Sequence, residues 1–103
     1  MAAELTDATV KRIAKLFSPA DQGLVSTRLI EECADTLPGF TPADSADIER
    51  VRFAVLKLSG GDFNALQRAI DLAKIDWRDV LVAAGFGNDP LAHRRWWPDP
   101  AAP

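Results

Sequence analysis

Residues 51–86, VRFAVLKLSGGDFNALQRAIDLAKIDWRDVLVAAGF, spell three amphipathic helices with their start and stop signals in place. In the first, Ile48, Val51, Val55 and Leu58 form one stripe at helical spacing, while Phe53 and Leu56 lie on a second. A helix apolar over that much of its circumference belongs at the centre of a bundle. Ser59-Gly60-Gly61-Asp62 then ends it and begins the next. Gly60 suits the left-handed position after a helix, and Asp62 can cap the one that follows, so the two should pair tightly and antiparallel. In the fourth helix Phe63, Leu66, Ile70 and Ala73 face inward, with Asn64, Gln67, Arg68, Asp71 and Lys74 outside. Asp76 caps a fifth helix, Ile75 is expected to meet Val80 as a hydrophobic staple, and Trp77, Val80, Leu81 and Ala84 form its inner face. Gly85-Phe86 closes it as a Schellman-type end, with Phe86 folded back onto Leu81.

Upstream, Thr6 is an N-cap, and Val10, Ile13, Ala14 and Phe17 recur at i, i+3, i+4 and i+7. Leu5 and Val10 fit a second staple. Ser18-Pro19 reads as a cap followed by the first helical residue, which opens a second helix running to about Ala34 with Val25, Leu29, Ile30 and Cys33 inside. Pro38, Gly39 and Pro42 make a connector whose apolar Leu37 and Phe40 should pin onto the bundle, and the third helix starts between Pro42 and Ser45. Downstream, Asp89-Pro90 can launch a short turn of helix from Leu91 to Trp97. No run of alternating β-branched residues and no internal repeat stands in the sequence. The expected fold is all-α: one domain over residues 1–97, about five helices plus a short C-terminal helical turn, and a Pro-rich tail over 98–103 that is extended or disordered.

The chain has 103 residues, 48% of them hydrophobic, enough for one core. Twelve Lys and Arg against fifteen Asp and Glu leave a net charge of -3, which disfavours partners bound by neutralising many phosphates. The single Cys33 cannot staple the chain to itself, no charged segment followed by an apolar run opens the sequence, and the longest apolar runs are too short to cross a membrane. A cytoplasmic protein is expected.

The segment LKLSGGDFNALQRAIDLAKIDWRDVLVAAGF, with LIEECADTLPGF before it, resembles a recurring segment of small bacterial proteins in which a Gly-Asp turn precedes one helix and an Asp-Trp-Arg-Asp step precedes another. The resemblance spans about Leu29 to Pro98. It implies an all-helical fold and a bacterial cytosolic setting, and carries no activity, cofactor or catalytic residue with it.

No nucleotide-cradling glycine loop, nucleophile–base pair or metal-ligand cluster is present, so no catalytic, cofactor-binding or metal-binding residues are assigned and an enzyme is not expected. His93-Arg94-Arg95-Trp96-Trp97 is the candidate partner-binding surface, because Trp and Arg combine large contact area with a polar handle. The competing reading is that Trp96 or Trp97 closes the open end of the bundle while Arg94 and Arg95 lie over acidic surface. His93, the sole histidine, is expected in a mobile segment. Asp76 and Asp79, like Asp44 and Asp47, are three apart on one side of a helix start, where capping and the helix dipole explain them. Glu31, Glu32, Asp35, Asp44, Asp47 and Glu49 make an acidic stretch that either steers a basic partner or is a solvated face. Cys33 reads as an inert core thiol. The functional expectation is a protein-protein interaction module, self-associating or binding a foreign protein. The alternative is a helix-turn-helix-like nucleic-acid-binding protein using the fourth and fifth helices, which a basic face contributed by Lys11, Arg12, Lys15 and Arg94 would favour and a scattered charge map would remove. Asp76 and Asp79 at the start of the reading helix oppose that alternative.

Overall fold

The central element is the helix that the sequence marks as apolar nearly all round. In the computed structural model, which describes residues 4–34, 37–41, 45–89 and 91–98, six helices follow one another: α1 (Asp7–Leu16), α2 (Pro19–Glu32), α3 (Ser45–Ser59), α4 (Phe63–Ile75), α5 (Trp77–Ala84) and α6 (Ala92–Arg95). Every residue from 51 to 56 of α3 is buried, and α1, α4, α5 and α6 all pack against it. The described residues contain no strand. Five helices and a single C-terminal helical turn are therefore observed as expected. Pro42, Asp35, Asp44, Pro90 and the tail residues 99–103 lie outside the described residues.

Local chemistry accounts for most element boundaries. The Thr6 hydroxyl accepts from the Thr9 amide at the start of α1, and Asp62 accepts from the Asn64 and Ala65 amides at the start of α4. Asp76 ends α4 and caps α5 in the same residue, its carboxylate accepting from the Arg78 amide. At the end of α5, Gly85 takes φ 81°, the Phe86 amide donates to Leu81 at 2.8 Å and the Gly85 amide to Val82 at 3.1 Å, the two bonds of a Schellman end. Between α3 and α4 both glycines have positive φ, and Gly61 also lies against the end of α1: a Cβ there would sit 2.7 Å from the Leu16 carbonyl oxygen. Only a glycine lets these two backbones approach so closely.

The core has two lobes sharing α3. One gathers Leu37, Phe40, Val51, Phe53, Val80, Leu81 and Phe86, and the other Ile13, Phe17, Val25, Leu29, Leu56, Leu66 and Ile70. Leu37 and Phe40 are buried, so the connector is pinned as its composition suggests, with the Phe40 ring 4.9 Å from that of Trp77.

Two residues expected to pack as staples lie toward solvent: Val10 is 49% exposed and Ile75 79% exposed. In α1 the buried residues are Thr9, Arg12 and Ile13, with Ala14 exposed, which turns the inner face away from the predicted stripe. The reason is that two polar residues find partners inside. The Thr9 hydroxyl meets that of Thr6 at 2.9 Å, and each nitrogen of the Arg12 guanidinium donates to a main-chain carbonyl. Arg52, 2% exposed, behaves similarly: its Nε donates to the Cys33 carbonyl at 2.9 Å and its Nη1 to that of Glu4 at 3.1 Å. It thereby ties α3 to the end of α2 and to the segment before α1.

Basic side chains on α3 also finish α5. Lys57 Nζ donates to the Ala84 carbonyl at 2.7 Å and Arg50 to the Phe86 carbonyl, placing positive charge at the negative end of that helix. These are long-range contacts with no local sequence signature.

Candidate interaction surface at the C-terminal segment

Asp89 and residues 91–98 fold back across the bundle as a clamped strap. Asp89 starts it, its carboxylate accepting from the Leu91 amide at 2.9 Å and its carbonyl from the Ala92 amide at 3.1 Å. One turn of helix then aims His93 inward. His93 is 1% exposed, with its ring 5.3 Å from Phe53 and 6.4 Å from Phe86, and its Nε2 lies 3.5 Å from Glu49 Oε1. Glu49 also accepts from the Thr6 hydroxyl at 2.7 Å, which links the strap, α3 and the start of α1. The expectation of a mobile histidine is thus corrected: a carboxylate on α3 and two aromatic rings make its burial favourable.

The second clamp is Arg12. Its Nε and Nη2 donate to the Trp96 carbonyl at 3.2 and 2.9 Å, its Nη1 donates to Ala8 at 2.9 Å, and its carbon centre stands 4.1 Å from the Phe53 ring centroid. Burial pulls the guanidinium below its ordinary pKa, and the charge of Glu49 opposes that shift. Trp96 is half-buried and packs against both lobes of the core. Its ring is 6.1 Å from Phe53 and 6.4 Å from Phe86.

Trp97 points the other way. It is 46% exposed, with one face 5.1 Å from the Arg12 carbon centre, a cation–π arrangement that fixes the ring without burying it. Pro98 beyond it is buried again, and Leu91 before it is 51% exposed. Arg94 and Arg95 are both exposed, and Arg95 Nη2 pairs with Asp89 Oδ2 at 2.5 Å. That bond, followed by the one from the Leu91 amide, holds the Asp89 carboxyl below the usual carboxylate range. Of the four candidate residues, then, Trp96 fills the bundle while Arg94, Arg95 and Trp97 stand on its surface.

The remaining candidates resolve into structural roles. The Asp76 carboxylate is held by Arg78 Nε and Nη2 at 3.0 Å each in addition to its capping bond, and its pKa is lowered by Arg78. Among the described residues of the acidic stretch, Glu32 pairs with Arg28 and Lys74, and Glu49 faces Thr6 and His93. The Cys33 thiol is buried and pushed up to about 12 by desolvation, which makes it a poor nucleophile. Among the described residues no three His, Cys, Asp or Glu side chains converge as a metal site. A cleft of about 130 Å³ lies between Phe40, Asp47, Arg50 and Trp77, and an open depression of about 310 Å³ between Gly39, Ile75 and Arg78. The latter is lined by Asp76 and Arg78 and not by His93. No helix among the described residues is long and apolar enough to cross a membrane. α4 and α5 join through the single residue Asp76, whereas a helix-turn-helix uses a turn of three to four residues.

The roles of buried Arg12 and His93 and of half-buried Glu49 escaped sequence reasoning. The signal was present only as a helical register, Thr9-Arg12-Ile13-Leu16, which becomes visible once the inner face of α1 is known. No protein-family model, curated protein or solved structure matches the chain, so the functional reading rests on its own geometry.

Proposed function

We propose that this chain is a bacterial cytoplasmic, non-enzymatic protein-binding module, with Trp97 and Arg94 on the clamped strap as its contact residues and Arg95 at the rim. The observation that carries the reading is Trp97, a large ring left 46% exposed between a half-buried Trp96 and a buried Pro98. Tryptophan and arginine are enriched among the residues that dominate binding energy at protein interfaces. The ring is also held by Arg12 on an otherwise anchored segment, so little conformational entropy is left to lose on association. The partner is a foreign protein or a second copy of the chain.

Placing a photo-reactive amino acid at position 97 tests this in cells, with position 82 as the control because Val82 is 70% exposed on α5. A discrete cross-linked product at position 97 and none at position 82 is the expected outcome. Equal labelling at both positions, or none at either, would sink the proposal.

A further inference from the structure

The partner's chemistry can be read from the surroundings of Trp97, given the protein-binding reading above. Ala8, Lys11, Arg12 and Lys15 recur at i, i+3, i+4 and i+7, so they share one flank of α1. Two of them meet the strap or its packing: Arg12 bonds the Trp96 carbonyl and faces the Trp97 ring, and Ala8 packs on the same core lobe as Trp96. Lys11 and Lys15 are exposed on that flank, and Arg94 is exposed on the strap. None of the three forms an ion pair among the described residues.

Charge is distributed accordingly. The net charge of the whole chain is -3, yet α1, Asp89 and residues 91–98 together hold five of its twelve Lys and Arg and two of its fifteen Asp and Glu, Asp7 and the Asp89 that pairs with Arg95. Tertiary folding thus joins two segments distant in sequence into a positive ledge with an exposed indole on it, on an otherwise acidic protein. We propose that this ledge binds an acidic protein segment carrying an apolar side chain, the carboxylates meeting Lys11, Lys15 and Arg94 and the apolar group packing on Trp97. A short ledge with three unpaired basic side chains neutralises few phosphates, and the exposed indole between them suits an apolar side chain, so a protein segment is favoured over nucleic acid.

The test uses the full chain, isotopically labelled, and three probes: a dodecapeptide of Glu and Asp with one central Leu, its Gln/Asn counterpart, and a single-stranded oligothymidylate. The acidic peptide is expected to shift the Trp97 indole N–H and the amides of Lys11, Lys15 and Arg94. Lys11→Gln with Lys15→Gln should weaken it by about fivefold or more, and raising salt should weaken it further. Both lysines are exposed, and circular dichroism of the double variant confirms that the fold is intact. Equal binding of the Gln/Asn peptide, or tighter binding of oligothymidylate at the same residues, overturns the proposal. If cross-linking at position 97 persists while the acidic peptide leaves the ledge unmoved, the protein-binding reading stands and the acidic partner is refuted. If both fail, both are refuted.

Discussion

Replacing Arg12 by alanine should release the C-terminal strap before it disturbs the bundle. The side chain makes three hydrogen bonds to main-chain carbonyls, two to Trp96 at 2.9 and 3.2 Å and one to Ala8 at 2.9 Å, and it faces Phe53 at 4.1 Å. These bonds share one cation whose removal also recovers its desolvation cost, so their individual contributions do not add. Leaving the Trp96 carbonyl without its charged donor costs about 2 kcal/mol, and losing the cation–π contact about 1 kcal/mol. For 103 residues the unfolding entropy is about 0.2 kcal/mol/K, so about 3 kcal/mol lowers the Tm by about 14 °C. Arg12→Lys keeps the charge but not the two-pronged donor, and should lose about half as much. Thermal unfolding followed by circular dichroism measures the total, and hydrogen exchange locates it. Protection should fall first at the Arg94 and Trp96 amides, which donate within the strap to Leu91 and His93. A loss below about 1 kcal/mol, or protection falling evenly across all helices, would refute the role of Arg12 as the clamp.

Gly61→Ala should destabilise by about 2–3 kcal/mol, because φ is +87° and the new Cβ would meet the Leu16 carbonyl, whereas Gly60→Ala, with open space around it, should cost only about 1 kcal/mol; denaturant titration of the two variants separates clash from backbone strain. The Glu32 carboxyl is held below its ordinary value of 4.5 by hydrogen bonding to Lys74 and then to Arg28, so its contribution is present above that pH and is lost as pH falls through the lower folded-state value. Glu32→Gln should therefore flatten the acid limb of a stability–pH profile, and an unchanged limb would show that the pair contributes nothing. Cys33, with its thiol pushed up to about 12 and buried beneath the end of α2, should resist thiol reagents near pH 8 until the protein unfolds, and rapid labelling of the native state would contradict that burial. Trp96→Ala should lower the Tm by clearly more than Trp97→Ala, since the first ring packs on both core lobes and the second is 46% exposed with only the Arg12 contact to lose.

The division between Trp96 and Trp97 marks where sequence reading stopped. Adjacent residues with identical side chains carry no local signal for which faces inward, and the outcome follows from the Arg12 bonds to the Trp96 carbonyl across 84 positions of chain. The exposure of the two expected staple residues has a related cause. Ile75 and Val10 sit at appropriate offsets from cap residues, but the faces their helices present to α3 leave both in solvent.

What the sequence determined by itself was the succession of helices, their caps at Thr6, Asp62 and Asp76, the left-handed stops at Gly60 and Gly85, and α3 as the central element. All of these depend on groups within a few residues of one another, so periodicity and capping chemistry reveal them. The inner face of α1, the buried Arg12, Arg52 and His93, and the joining of α1 to the strap were decided only by tertiary structure. Burying a charged or polar side chain is favourable only where a partner from elsewhere in the chain satisfies it, and that partner is chosen by packing rather than by neighbouring sequence.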